Sequence, residues 1–345
     1  MSEFRQDPIT QRWRVIAEGR SARPNEYVSE PDHPPTDESC PFCEGHESRT
    51  PGETAAVRTP GGAVNGPGWR VRAIPNRFPT VSSAPTSPAP SSSPAFHRRP
   101  GTGVHEVIIE SPRHSPGLAY LPTEQLHEVF RFFRTRVRSL SSRSSVGGVL
   151  LFENWGPESG GTLWHPHAQI VATDVVPPRL AEEADAFRRH VRPGGSTCLL
   201  ESVVAAEKAA IHRVVDSGPT YDVFAPFASE HPYEMWVVPR RHESTFADAN
   251  DAEVDGLAEL LPALLRSLGR VRPGASFNWY IHGLRPATGS GGDFHWHLEV
   301  APRLLRPDGF ELGAGTTVNP VAPEVAAVEL RTALASDSAS GGRKR

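Results

Sequence analysis

Cysteine is scarce in this chain, with three residues among 345, and two of the three sit together as Cys40-Pro-Phe-Cys43. A disulfide framework would need more of them and a secretory context. The opening stretch MSEFRQDPITQRW carries charge from the start and has no apolar centre, so it does not read as a signal peptide. No apolar run approaches the roughly 20 residues of a membrane span. Basic residues are not in excess either: 36 Lys and Arg stand against 40 Asp and Glu, a formal net charge of −4. Neither nucleic acid nor a membrane is therefore an expected partner, since a nucleic acid or an anionic bilayer selects for surplus positive charge. Small anionic substrates stay compatible, because a local arginine cluster holds a phosphate whatever the global balance. A cytoplasmic, reduced protein is expected, and there a close cysteine pair serves metal binding more often than bridging.

What the chain has in quantity is core material and, in two places, its opposite. Hydrophobic residues make up 37% and charged residues 22%, enough for one large domain or two of ordinary size. Residues 79–103 are dominated by Pro, Ser and Ala and read as a long surface loop, and 335–345 (ASDSASGGRKR) read as a disordered tail. Runs rich in β-branched and aromatic residues predict strands at 104–110, 148–153, 234–238 and 276–281. Apolar residues at helical spacing predict helices over 122–139 and 250–268, capped by Thr123 and by Asp248 or Asn250.

These elements come in the same order twice. CPFC, HEVIIESPRHSPGLAYL, a helix, GVLLFEN and WHPHAQIVA are followed by CLLE, YEMWVVPRRHESTFADA, a helix, SFNWYIHG and FHWHLEVAP. His114 precedes His165 by 51 positions, and His242 precedes His295 by 53. A duplicated unit, 1–178 and 179–334, each with its own ligand set, is the economical expectation.

Cys40 and Cys43 can reach one ion from a tight turn, and tetrahedral zinc needs two more N or S ligands. His114 and His165 complete a Cys₂His₂ set, with a redox-active cysteine pair as the competing reading. His165-Pro166-His167-Ala168-Gln169 runs into the apolar stretch Ile170–Ala172. On a strand His165, His167 and Gln169 share a face, and three polar side chains there cost stability unless they bind something. A neutral imidazole at His167 can attack phosphorus and leave again. Gln169 can donate its amide to a phosphate oxygen. The alternative is that both histidines are metal ligands.

With these residues in place, the sequence resembles the galactose-1-phosphate uridylyltransferase family, the transferase branch of the histidine-triad superfamily. The likeness runs from DPITQRWRVIAEGRSARP (7–24) through CPFC, AIPNRFP (73–79), SPRHS and FEN with HPHAQ to FHWHLEVAP. It implies an α+β fold of two tandem histidine-triad-like units, a duplicated half-barrel antiparallel sheet with flanking helices. It further implies ping-pong transfer through a nucleotidyl-histidine at His167 and zinc on Cys40, Cys43, His114 and His165. Arg20, Arg23, Asn76, Asn154 and Gln169 are then the contacts to nucleotide or phosphates, and a homodimer is expected. A glutamine where the hydrolase branch has a third histidine favours transfer over release to water.

The second half offers two metal sets. Cys198, Glu201, His242 and His295 repeat the first, with Glu201 where a second cysteine is expected. A different pattern of the family falls on Glu183, His282 and His297, with Glu299 in place of its last histidine. The segment 309–324, GFELGAGTTVNPVAPE, reads as a glycine-rich loop with bare backbone N–H groups, similar to the ADP-glucose phosphorylase branch, where hexose-uridylyltransferases carry Lys, Tyr and Gln. The expected activity is transfer of UMP from a nucleotide sugar to a hexose 1-phosphate, in galactose metabolism. The alternatives are an ADP-glucose or dinucleotide phosphorylase using inorganic phosphate, and a non-catalytic, zinc-stabilised nucleotide-binding protein.

Overall fold

The computed structural model describes residues 2–18, 39–85, 95–190, 198–285 and 294–341. Arg20, Arg23 and the centre of the Pro/Ser insert lie outside the described residues. A ten-stranded antiparallel sheet organises the rest. Its first five strands are β3 (Ala55–Arg58), β4 (Trp69–Pro75), β5 (Gly103–Ile109), β6 (Gly148–Trp155) and β7 (His167–Thr173). The other five are β8 (Val214–Ser217), β9 (Tyr221–Phe224), β10 (Met235–Pro239), β11 (Phe277–His282) and β12 (His297–Pro302). The order is β3-β4-β5-β7-β6-β11-β12-β10-β9-β8, so each edge leads inward through the same arrangement of strands. The seam is the β6–β11 pairing, from Trp155 opposite Phe277 to Leu151 opposite Ile281.

A second sheet of three strands joins β1 (Ser2–Gln6), β2 (Trp13–Ala17) and β13 (Val318–Asn319), tying the start of the chain to its end. Six helices complete the described residues: α1 (Thr123–Ser141), α2 (Pro178–His190), α3 (Leu199–Ala210), α4 (Asp251–Val271), α5 (Gly309–Ala314) and α6 (Pro323–Gly341). Helices α1 and α4 follow from their spacing. Leu126, Val129, Phe130, Phe133, Val137 and Leu140 bury one face of α1, and Val254, Leu257, Leu261, Leu264, Leu265 and Leu268 one face of α4. Asn250 caps α4: its side chain accepts from the Glu253 N–H at 2.9 Å while Glu253 accepts from the Asn250 N–H at 2.8 Å. Thr123 is the first residue of α1 rather than its cap, and Pro122 holds the cap position.

Cross-strand partners share a face, so the register sorts the sheet into two surfaces. One surface carries Ile108, Leu151, Ala168, Ile170, Ala172, Trp279, Leu298 and Val300, all at most 1% exposed, in the core with α1, α4 and α6. Each large apolar side chain buried there contributes about 1.5–3 kcal/mol. The opposite surface carries His167, Gln169, Asn154, Asn278, Tyr280, His282, His297 and Glu299, and it holds the chemistry.

Two expectations are corrected. The tail expected to be disordered from Ala335 is helical to Gly341, because Asp337 is held by Arg266 (2.9 Å) and Arg270 (2.5 Å) of α4. The segment 309–324 is not a bare loop. Asp308 caps α5, Gly315 ends it in the left-handed region (φ 65°), and β13 then pairs in parallel with β2.

Beneath the sheet two carboxylates are fully buried, Glu110 just past β5 and Glu153 on β6. Glu153 accepts from the Trp279 indole N–H, whereas neither carboxylate oxygen of Glu110 has a hydrogen-bond partner among the described residues. Burial pushes Glu153 up to about 8, and burial followed by repulsion from Glu153 raises Glu110 well above the carboxylate range. Such groups bind more protons folded than unfolded, so their contribution weakens as pH rises between 4.5 and about 8. Urea titrations across that window are expected to show stability falling by up to ~1.4 kcal/mol per pH unit from Glu153. Glu153→Gln should flatten the fall; an unchanged slope would mean that Glu153 is ionised in the native core.

Candidate active site and metal centres

β7 brings His167 to the polar face of the sheet, buried there, with Gln169 two residues further along it. His165 stands before the strand rather than on it, which corrects the expectation that all three side chains line one strand face. The bend separates their tasks. The Nδ1–H of His167 donates to the carbonyl of His165 at 2.7 Å, so the Nε2 lone pair is the one left for chemistry. Burial depresses the His167 pKa, opposed by that hydrogen bond, and so favours the neutral imidazole a nucleophile must be. Phe42, between the two cysteines, packs edge-on against this ring with centroids 5.2 Å apart.

His165 itself turns toward the cysteines. Its Nε2–H donates to the carbonyl of Ser111 at 2.7 Å, which leaves Nδ1 as the free donor atom, 3.5 Å from Cys40 Sγ and 3.6 Å from Cys43 Sγ. His114 Nδ1 lies 3.6 Å from Cys43 Sγ. Zinc at about 2.3 Å from sulfur and about 2.0–2.1 Å from imidazole nitrogen sets an S···N edge of about 3.6 Å on a tetrahedron. The four side chains thus have the spacing as well as the chemistry of a closed structural zinc set, with all four ligand atoms within 4.8 Å of one another.

Gln169 is oriented by a residue the sequence reading passed over. The Thr80 N–H donates to His105 Nδ1 at 3.1 Å, so His105 carries its proton on Nε2 and donates it to Gln169 Oε1 at 2.9 Å. Asn76 Nδ2 donates to the same oxygen at 3.4 Å. With its oxygen occupied, Gln169 presents its NH₂ as a donor. Asn154 and Asn278 face each other across the seam, with Asn278 Nδ2 donating to Asn154 Oδ1 at 2.7 Å. A lone polar residue inside SFNWYI was the available signal for Asn278, and the argument applied to HPHAQ covers it. His105, on β5 within VHEVIIE, carried the same signal beside the more conspicuous motifs.

A sequence profile for the N-terminal domain of galactose-1-phosphate uridyl transferase matches residues 1–177, half of the chain. The ADP-glucose phosphorylase of Arabidopsis thaliana is 31% identical over 95% of this chain and 92% of its own length. The chain belongs to the galactose-1-phosphate uridylyltransferase family. The galactose-1-phosphate uridylyltransferase of Thermotoga maritima is 25% identical over 96% of this chain and 98% of the relative. In structure, the crystal structure of an ADP-glucose phosphorylase from Arabidopsis thaliana with bound ADP-glucose superimposes with a TM-score of 0.80 at 28% identity, covering 96% of this chain and 98% of that one.

In this uridylyltransferase-family enzyme the second half repeats the donor geometry. His295 Nε2–H donates to the carbonyl of Pro239 at 2.9 Å, and Nδ1 lies 3.7 Å from Cys198 Sγ. His297 Nδ1–H donates to the carbonyl of His295 at 3.1 Å, as His167 does to His165. Cys198, His242 and His295 converge, and Glu201 touches His242 Nδ1 at 3.3 Å while also capping α3. The other set is assembled too: Glu183, His282, His297 and Glu299 place one ligand atom each within 4.8 Å of one another, all buried. His297 Nε2 faces Glu299 Oε1 at 3.4 Å, and neither atom has a hydrogen-bond partner among the described residues. A proton on His297, whose pKa the Glu299 and Glu183 carboxylates raise against its burial, or a metal cation would satisfy this contact in the dry interior. Arg179 takes the outer oxygen of Glu299 at 2.8 Å and thereby aims the inner one. The structure thus brings together Glu183, His282, His297 and Glu299 of one set and Cys198, His242 and His295 of the other, with Glu201 beside His242. Arg240 and Arg241 are neutralised by Asp222 and by Glu253 and Glu243, so they are not free for phosphate.

Cobalt(II) added to chelator-washed protein is expected to develop thiolate-to-metal charge-transfer absorption that Cys40→Ser diminishes. No such band in the unmodified protein would mean that the cysteines of the first set do not ligate metal.

Proposed function

We propose that this enzyme moves a nucleoside monophosphate from a nucleotide sugar onto His167 Nε2 and then onto a phosphate-bearing acceptor. The observation that carries the proposal is the His167–His165 hydrogen bond, which leaves Nε2 as an unprotonated nucleophile on the polar face of the sheet. In the first step Nε2 bonds to the α-phosphorus while the P–O bond to the sugar phosphate breaks, its electron pair leaving on oxygen. In the second an acceptor oxygen attacks the same phosphorus and the P–N pair returns to Nε2. Gln169, held by His105 and Asn76, donates to a non-bridging oxygen where charge accumulates, and Asn154 lies beside it.

The donor best supported is ADP-glucose with inorganic phosphate as acceptor. The likeness to ADP-glucose phosphorylase covers nearly all of both chains, and 309–324 lacks the Lys, Tyr and Gln of the hexose-uridylyltransferases. Transfer of UMP to a hexose 1-phosphate, galactose 1-phosphate by family default, is the second reading, favoured by the 25% identical uridylyltransferase.

Zinc belongs to the proposal as the ion of Cys40, Cys43, His114 and His165. It would supply rigidity there, since a closed four-ligand set fixes the backbone whose carbonyl aligns His167. A further metal would sit on Glu183, His282, His297 and Glu299, or on the Cys198 set. We also infer two tandem histidine-triad-like units, 1–178 and 179–334, supported by the mirrored strand order and by the matching His-x-His hydrogen bonds. A homodimer is proposed with them.

Intact-protein mass spectrometry after mixing with ADP-glucose, and separately UDP-glucose, is expected to show a gain of one AMP from the first donor only. The gain should vanish in His167→Ala. A UMP adduct alone would establish the uridylyl reading, and labelling that survives His167→Ala would remove His167 as nucleophile. A nucleotide-binding protein with an inert His167 would bind both donors and take no label.

A further inference from the structure

The polar face does not stop at Asn154. Asn278 donates to Asn154 Oδ1 at 2.7 Å and to the carbonyl of Ser159 at 3.0 Å, and its own Oδ1 accepts from Arg303 Nε at 2.5 Å. Arg303 comes directly after β12. Its backbone N–H donates to the carbonyl of Ser276 at 2.8 Å, and its Nη1 lies 3.4 Å from His231 Nε2. The guanidinium is thus held at its Nε and Nη1 edges, and Nη2 has no partner among the described residues. No carboxylate among them lies within ion-pair distance of it, whereas Arg179, which acts on the same His231, is taken by Glu299. A half-buried, positioned cation without a counter-ion, held against Asn278 of β11, a strand two spacings or about 10 Å from β7, is complementary to a phosphate.

We propose that Arg303 binds the phosphate group that is not transferred: that of the departing sugar 1-phosphate, and that of the inorganic phosphate which later accepts the nucleotidyl group. This deepens the reaction proposed above and rests on it for the role, though not for the binding. When the P–O bond breaks, the departing group changes from a diphosphate ester to a monoester dianion, and the added charge develops where a fixed guanidinium can meet it. The N–H groups of Arg303 Nη2 are left to meet phosphate oxygens, and Asn278 couples the position of Arg303 to that of Asn154. The second half of the chain would thereby contribute to a site whose nucleophile lies in the first.

The test is calorimetric titration of the full chain carrying His167→Ala, which removes turnover, with glucose 1-phosphate, inorganic phosphate and AMP. Adding Arg303→Met is expected to weaken glucose 1-phosphate and phosphate at least tenfold and leave AMP unchanged, and Arg303→Lys should recover part of the loss. Loss for one of the two phosphates alone supports the proposal and names which group Arg303 holds. Unchanged affinity for both in Arg303→Met, or no measurable binding of either to the His167→Ala parent, overturns it. Because no covalent step is measured, an absent adduct with the unmodified enzyme would remove the reaction and not the phosphate site. Thermal melts of each variant exclude unfolding as the cause, and AMP binding reports an intact nucleotide end.

Discussion

One backbone carbonyl, that of His165, decides what this site can do. By accepting the Nδ1 proton of His167 it fixes the tautomer and aims the opposite nitrogen outward. The carbonyl is itself immobile because the His165 ring is pinned on the other side, Nε2 to Ser111 and Nδ1 toward two thiols. CPFC, SPRHS and HPHAQ are far apart in sequence and converge on that peptide unit. Phe42 adds an edge-on contact to the His167 ring from within the cysteine turn. The proposed ligation by the cysteine set and the positioning of His167, the proposed nucleophile, are therefore one arrangement rather than two neighbouring ones, consistent with how supporting residues tune a reactive group.

The motifs were legible because their chemistry is local. CPFC and HPHAQ pack several unusual residues into a few positions, and a polar side chain on an apolar strand declares itself. The repeated order of elements led to the expectation of two units, and the strands run inward in the same arrangement from each edge of the sheet. What could not be read were consequences of long-range pairing. Nothing in 148–155 or 277–282 says that β6 and β11 adjoin, because strand partners are set by the closed fold rather than by either segment. The same holds for Glu110 and Glu153, ordinary strand-end acids in sequence and a buried pair in three dimensions. Helices α2, α3 and α6 went unread. α6 hides behind Ala, Ser and Gly that look like tail composition, and its last turns depend on Arg266 and Arg270 from another helix.

The two metal sets of the second half differ in donor hardness, and this separates their chemistry. Cys198 with two histidines suits a soft or borderline ion, whereas two carboxylates with two imidazoles suit a harder one. Aligned on their His-x-His segments, His297 stands where His167 stands and Glu299 where Gln169 stands. The position that His167, the proposed nucleophile, holds in one half is, in the other, fully buried beside the Glu183 and Glu299 carboxylates. The hydrogen-bonding frame of the two His-x-His segments is nevertheless the same in both halves.

The seam between β6 and β11 also governs how the chain can come apart. Five register pairs join the halves, and both strands become sheet edges if they separate. Each bared edge would present alternating unpaired N–H and C=O groups on an apolar strand, the geometry that templates pairing with another molecule. Independent unfolding of one half is thereby penalised, and loss of structure should propagate through both as one cooperative event. Quality control in the cell then meets this chain either whole or as an aggregation-prone open ribbon, with little between.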